Sequence, residues 1–293
     1  MLQIVQSLPR SASPRRRRDY EIDGLVEYYR GELLALRQGY DCASPIHGIG
    51  GGIGANLLTP IAIAKADGVT SGSYYCADRG ITTGAVGVTQ WNDLWGVRNF
   101  TQVSATTSRQ PGYTKYESTL KRRGCVSGDG VDDYLLNGPD SPVPSSTTKT
   151  SWRLVARCNG WVSDGRLIGG VLRGGTSSQT IRAFNSGTDG GMLTMTDSTW
   201  YRIRHHLSNS TDDYCQVGLF SNIDHTNLGA GDRSGATCFT QLAGAPSALG
   251  AYSIANILYL LGTSTHTSEL SPDADLLLDR FYTRYYGTNV TVG

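Results

Sequence analysis

Trp152-Arg153-Leu154-Val155-Ala156-Arg157-Cys158 and Tyr201-Arg202-Ile203-Arg204-His205 decide the fold. In the first run Trp152, Leu154, Ala156 and Cys158 alternate with Arg153, Val155 and Arg157. In the second, Tyr201, Ile203 and His205 alternate with Arg202 and Arg204. A period of two is that of a β-strand, here with one buried and one solvated face. Working outward, residues 165–172, 179–184, 191–195, 213–220, 236–242 and 254–261 read as further short strands, separated by Gly, Asn, Asp and Ser clusters. So many short strands predict a sandwich or jelly roll, mainly β and antiparallel.

Composition agrees. The 293 residues include 37 Gly, and only 17% are charged, against about 7% Gly and about 25% charge in an ordinary soluble domain. With 39% hydrophobic residues the chain can bury a core, and its length suits one large β domain with an appendage. The longest apolar runs, 254–261 and 57–66, are too short or too broken by Pro60 to span a bilayer. The start, Met1-Leu2-Gln3-Ile4-Val5, lacks the basic and long apolar regions of a secretion signal, so the expected site is a cytoplasm until assembly or lysis. Cys42, Cys76, Cys125, Cys158, Cys215 and Cys238 show no paired Cys-x-x-Cys spacing and are expected to be mostly free, buried thiols, with no metal centre.

The charge is divided unevenly. Residues 1–18 hold Arg10, Arg15, Arg16, Arg17 and Arg18 and no acid; removing these five from 26 basic residues leaves 21 against 25 acidic ones. A basic arm, held extended by Pro9 and Pro14, therefore precedes a mildly acidic body. An acidic protein surface is its expected dock. Nucleic acid is disfavoured, because no basic body stands behind the run.

Ile22, Leu25, Val26, Tyr29, Leu33 and Leu36 recur at helical intervals, with Asp19 as a candidate cap and Gly39 as a stop, despite Gly24 and Gly31 inside. Glu21, Asp23 and Glu27 faintly echo the paired carboxylates of jelly-roll glucanases, but Leu25 stands where the third acid belongs and the segment reads as helix, so no catalytic site is expected. Residues 48–55 contain a loose Gly-rich fingerprint without the flanking strand or acid that dinucleotide binding needs, and read as a connector. The histidines are scattered, and no cofactor is expected. At the other end, Ser271 can cap a helix begun by Pro272, with Asp273 and Asp275 at its positive end, an apolar face of Leu277, Leu278, Phe281, Tyr282 and Tyr285, and Gly287 closing it.

Four segments follow one another in a suggestive order: Tyr75-Cys76-Ala77-Asp78-Arg79-Gly80-Ile81; Val88-Thr89-Gln90-Trp91-Asn92-Asp93-Leu94-Trp95-Gly96; Pro111-Gly112-Tyr113; and Ser127-Gly128-Asp129-Gly130-Val131-Asp132-Asp133-Tyr134-Leu135. Together with Ser198-Thr199-Trp200-Tyr201-Arg202-Ile203 and residues 255–287, this order resembles the concanavalin A-like, laminin G-type jelly rolls of tailed-phage virion proteins and bacterial surface proteins. The similarity covers about residues 70–290. Trp95 directly after the Gln-Trp-x-Asp turn departs from it, and residues 1–69 have no counterpart.

The resemblance implies an antiparallel concanavalin A-like β-sandwich over residues 70–293 with a terminal helix, preceded by an anchoring segment (1–69) of extended arm, short helix and Gly-rich connector. It also implies a non-enzymatic virion structural protein: a capsid decoration, head-fibre or tail-associated component, expected as a homo-oligomer bound to major capsid or tail subunits. The anchoring residues are then Arg10, Arg15, Arg16, Arg17, Arg18, Ile22, Leu25 and Tyr29. The alternative is an adhesin for host glycans, with Trp91 and Trp95 stacking on sugar and Asn92 and Asp93 reading hydroxyls. Asp129, Asp132 and Asp133 admit calcium in principle, but read better as a turn in which Asp side chains bond the backbone.

Overall fold

The computed structural model describes residues 14–38, 56–96, 98–102, 110–130, 133, 135–137, 148–160, 166–168, 172–174, 180–185, 188–194, 196–207, 214–217, 251–263, 269–287 and 290–291. Three helices are α1 (Pro14–Arg37), α2 (Thr59–Ala66) and α3 (Pro272–Tyr286). The strands are β1 (Ser71–Cys76), β2 (Ile81–Thr83), β3 (Val88–Trp91), β4 (Phe100–Thr101), β5 (Gly112–Glu117), β6 (Arg123–Ser127), β7 (Leu136–Asn137) and β8 (Thr148–Gly160). They continue with β9 (Arg166–Ile168), β10 (Leu172–Gly174), β11 (Thr180–Asn185), β12 (Thr188–Thr194), β13 (Trp200–Leu207), β14 (Tyr214–Val217), β15 (Ala251–Thr263) and β16 (Val290–Thr291). The protein is a mainly β, antiparallel β-sandwich with its three helices packed together over one face of the large sheet. Of the expected strands, 236–242 lies outside the described residues.

The large sheet runs β14-β13-β8-β15-β6-β5, with β1 also on β15 and β16 parallel to β13. β8 and β15 are its spine, paired from Ala251↔Gly160 to Thr263↔Thr148. The far edge of β15 is shared: Ser253 and Ile254 meet β6, whereas Asn256 to Leu261 meet β1. At the change-over the Ala77 N–H donates to the Ala255 carbonyl at 2.9 Å. A second sheet, β2-β3-β4-β7, and a third, β12-β11-β10-β9, complete the strands.

Two apolar layers sandwich the large sheet. On one face Trp152, Leu154, Ala156, Cys158, Ile203, Ile257 and Tyr259 pack against Val88, Trp91 and Phe100 of the second sheet. On the other, Val155, Leu258, Leu260 and Trp200 pack beneath all three helices. The alternation of β8 thus feeds two cores, and the face expected to be solvated is covered. Arg153 and Arg202 are 1% and 3% exposed. Local periodicity marks the two faces of a strand but carries no information on what will lie over each.

α1 differs from the expected extended arm and short helix. It begins at Pro14 and runs for 24 residues, so Arg15 to Arg18 lie in its first turns and Asp19 is interior to it. Proline at the first helical position and a run of arginine, a good helix former, account for this start. Ile22, Leu25, Val26, Tyr29 and Leu33 are buried, in the same cluster as Ile61 of α2 and Leu278 of α3, each contributing roughly 1.5–3 kcal/mol of burial. α1 and α2 therefore share their core with the sandwich. Asp67 ties the layer together: its carboxylate accepts from the Ser271 N–H at 2.6 Å, the Ser271 hydroxyl at 2.7 Å and Arg37 Nη2 at 3.0 Å. α3 follows its sequence signals, with Ser271 Oγ accepting the Ala274 N–H at 3.3 Å and Gly287 ending it at φ 92°.

Candidate functional site

The Trp91 to Trp95 turn is a corner of the fold. Trp91 is fully buried in an edge contact with Tyr75, ring centroids 6.0 Å apart, so its ring offers no face to a sugar. Asp93 is 4% exposed, and its carboxylate accepts from the backbone N–H groups of Tyr74 (3.0 Å), Trp95 (2.9 Å) and Arg98 (3.3 Å). Asn92 is spent on the Gly80 carbonyl at 2.9 Å. Trp95, half-buried, packs against the helix-side core and over Gly72. Each group expected to read a glycan is occupied inside this corner, Trp91, Asp93 and Trp95 against β1 and Asn92 against the turn that follows it.

The expected anchoring residues divide. Ile22, Leu25 and Tyr29 are 4%, 6% and 7% exposed and are used up inside the molecule, which corrects their assignment to a partner. Apolar burial against α2 and α3 is available within the chain, so that face closes there. Arg15 to Arg18 sit at the start of α1, and Arg10 lies outside the described residues. Glu21, Asp23 and Glu27 are all exposed on α1; Glu21 accepts from Asn56 Nδ2 at 2.6 Å. In the Asp129 to Asp133 segment, Asp133 Oδ2 accepts the Asp129 N–H at 3.1 Å, a backbone turn; Asp132 and the Gly-rich run 48–55 lie outside the described residues. Cys76, Cys125 and Cys158 are free and buried, and burial pushes the Cys76 and Cys158 thiols up to about 11 and about 12.

The sequence did not point to a polar strip across the helix-side face of the large sheet. It takes Glu117 from β5, Ser127 from β6, Ser253 from β15, Arg157 and Asn159 from β8 and Trp200 from β13. Arg157 Nε donates to Asn159 Oδ1 at 2.9 Å and its Nη2 lies 3.5 Å from Glu117 Oε2, with the guanidinium 4.9 Å from the Trp200 ring centroid. Asn159 Nδ2 donates to Ser253 Oγ at 2.8 Å, and the Ser253 and Ser127 hydroxyls are 2.7 Å apart. Glu117 also accepts the Thr119 hydroxyl at 2.8 Å, and that hydroxyl oxygen accepts Trp200 Nε1–H at 2.9 Å. Burial alone would raise the Glu117 carboxyl, but the Thr119 hydrogen bonds and the Arg157 charge hold it below its usual value. Asn159 is exposed and Arg157, Glu117 and Ser127 half-buried, whereas Ser253 and Trp200 are buried, so the strip reaches the surface at Asn159, Arg157 and Glu117. These residues are scattered along the chain, and the pairings Trp200↔Arg157↔Ser253↔Ser127 with Glu117↔Arg123 align them.

A second polar cluster lies deeper and holds α3 down. Arg153 donates to both oxygens of Asp275, Arg202 pairs with Asp279, and Arg204 bridges to both carboxylates. Burial pushes the Asp279 carboxyl up to about 6 against the pull of Arg204 and Arg202.

No protein-family model matches the chain, and no curated protein matches it. Among solved structures it is similar to the Trypanosoma rangeli sialidase, at 9% identity over 74% of this chain and 33% of that one, with a TM-score of 0.45. It is also similar to a protein of unknown function from Shewanella oneidensis MR-1 (10% identity, 69% of this chain and 92% of that one, TM-score 0.36). A third is the binding domain of botulinum neurotoxin DC in complex with rat synaptotagmin II (10% identity, 68% and 50%, TM-score 0.35). The chain spans about a third of the length of the sialidase chain it matches.

Proposed function

We propose that the protein is a non-enzymatic structural component of a tailed-phage virion, a capsid decoration, head-fibre or tail-associated protein, anchored through the arginines at its N-terminal end. The phage setting rests on the resemblance of the segments from Tyr75 to Leu135 to such jelly rolls. The observation that carries a structural role is the use made of the buried carboxylates. Asp93, Asp133, Asp275 and Asp279, the buried acids among the described residues, each accept hydrogen bonds that hold one element of the fold to another or close a turn. The anchoring role falls to Arg15, Arg16, Arg17 and Arg18. The first turn of α1 has no acid and carries Arg15, Arg16 and Arg17, and a cation at the positive end of a helix dipole is disfavoured by about 0.3–1 kcal/mol. An acidic surface on a neighbouring capsid or tail subunit relieves that repulsion. Deleting residues 1–18 removes the cluster and leaves the buried face of α1 in place; the truncated protein is expected to fold, by circular dichroism, and to be lost from particles. Normal incorporation of the truncated chain overturns this reading.

The second reading, a glycan-binding adhesin, is favoured by the strip of Glu117, Arg157 and Asn159, whose polar side chains reach the surface where Trp91 and Asp93 are buried. Glycan-array binding abolished by Asn159→Ala and Arg157→Ala, in folded protein, supports it. Absence of binding by the unaltered protein removes it.

A further inference from the structure

β5 is the last strand of the large sheet, and it carries an irregularity. Thr114 pairs with Cys125 and Glu117 with Arg123, so three steps on β5 span two on β6. The extra residue makes a bulge at Lys115 and Tyr116, a device that re-aims side chains at a sheet edge and frees backbone groups from the ladder. Both residues are exposed, Tyr116 to 59%, as are Gly112 and Thr114 before them.

The following turn adds to the same spot. Lys121 and Arg122 are consecutive non-glycine residues with positive φ, 51° and 63°, a conformation that is held only where surrounding structure enforces it and that gathers at binding sites. Lys121 Nζ donates to the Arg284 carbonyl at 3.0 Å, fixing the turn to the end of α3. Arg122 is thereby carried over the Tyr116 ring, 5.6 Å from its centroid, with Lys115 Nζ 5.2 Å from it. The nearest acid along the strand, Glu117, is engaged by Arg157 and Thr119. A lone lysine is an ordinary guard against edge-to-edge pairing; two cations gathered on an exposed tyrosine by a bulge and a strained turn go beyond that.

We propose that the bulged edge of β5 with its Lys121–Arg122 turn is a docking strip for a short, extended, acidic segment of a partner protein. Charge complementarity selects that occupant. Lys115, Lys121 and Arg122 form a local positive patch on a body, residues 19–293, that carries 21 basic and 25 acidic residues. With screening over about 8 Å at physiological salt, a short acidic segment feels the patch, whereas a long polyanion also meets the negative body. Exposed backbone at the bulge supplies hydrogen bonds to an extended chain, and the Tyr116 ring supplies the apolar contact.

The test uses the full chain and a short peptide alternating glutamate and threonine, with its glutamine counterpart and a single-stranded oligothymidylate as comparators, read by fluorescence anisotropy. The glutamate peptide is expected to bind, the glutamine peptide about tenfold or more weaker, and raised salt to weaken binding. Lys115→Glu with Arg122→Glu should abolish binding, and Tyr116→Ala should weaken it, with thermal melting unchanged because all three side chains are exposed. Lys115→Gln with Arg122→Gln provides a milder pair should the reversal perturb folding. No binding of the glutamate peptide, equal binding of the glutamine peptide, tighter binding of the oligothymidylate, or binding that survives the substitutions overturns the proposal.

Discussion

The Arg153 guanidinium lies against the Asp275 carboxylate in a two-pronged contact, Nε to Oδ1 at 3.0 Å and Nη2 to Oδ2 at 3.2 Å, between the central strand β8 and α3. Both side chains are almost wholly withdrawn from water. Such a pair is worth little against an apolar substitute of the same shape, but removal of one partner strands the other. Asp275→Ala is therefore expected to lower unfolding stability by about 3–5 kcal/mol, measured by denaturant titration. The double change Arg153→Met with Asp275→Leu should recover most of that loss.

Asp279 is expected to leave a pH signature. Its folded value, about 6, stands above its ordinary 3.8, so between these values the folded state holds more protons than the unfolded one and stability falls as pH rises. The stability of the unaltered protein relative to Asp279→Asn should decline from about pH 4 to about pH 6 and level off above. A pH-independent difference between the two proteins contradicts this.

Two glycines should respond oppositely to alanine. A Cβ at Gly72 would meet the Tyr259 carbonyl oxygen at 2.4 Å and the Trp95 ring at 2.8 Å, whereas one at Gly24 meets nothing within 4 Å. Gly72→Ala is expected to destabilise by about 1–3 kcal/mol or more, and Gly24→Ala, in the interior of α1, to stabilise by about 1 kcal/mol. Melting temperatures of the two variants give the comparison.

Trp91→Ala should act through the core. With its indole fully buried, truncation is expected to cost about 3–5 kcal/mol, seen in unfolding curves, without a specific effect on any glycan. Asp93→Ala should also destabilise, by about 1–3 kcal/mol, because three backbone donors lose their acceptor.

The buried thiols are expected to be inert in the folded protein. With Cys76 and Cys158 pushed up to about 11 and about 12, neither forms thiolate at neutral pH. Iodoacetamide should label them only after denaturation, and rapid labelling of native protein would contradict their burial.

Much of this architecture was legible in the chain. Alternation at Trp152 to Cys158 and Tyr201 to His205 determined two central strands, and Ser271, Pro272 and Gly287 bounded α3, because side-chain period and caps are properties of a few neighbouring residues. The apolar spacing from Ile22 to Leu33 determined a helix with one buried face. The tertiary structure decided what covered each face. Arg153 and Arg202 alternate as solvated residues do, yet they are buried, because α3 brings Asp275, 122 residues further along from Arg153, together with Asp279 onto the sheet. The Ile22, Leu25 and Tyr29 face was open to a partner in the sequence and is closed by α2 and α3 in the fold. Trp91 suits a sugar or a core equally by residue type, and only its position between the sheets excludes the former. Likewise Glu117, Ser127, Arg157 and Ser253 are brought together through strand register, a relation between distant segments that no local pattern encodes.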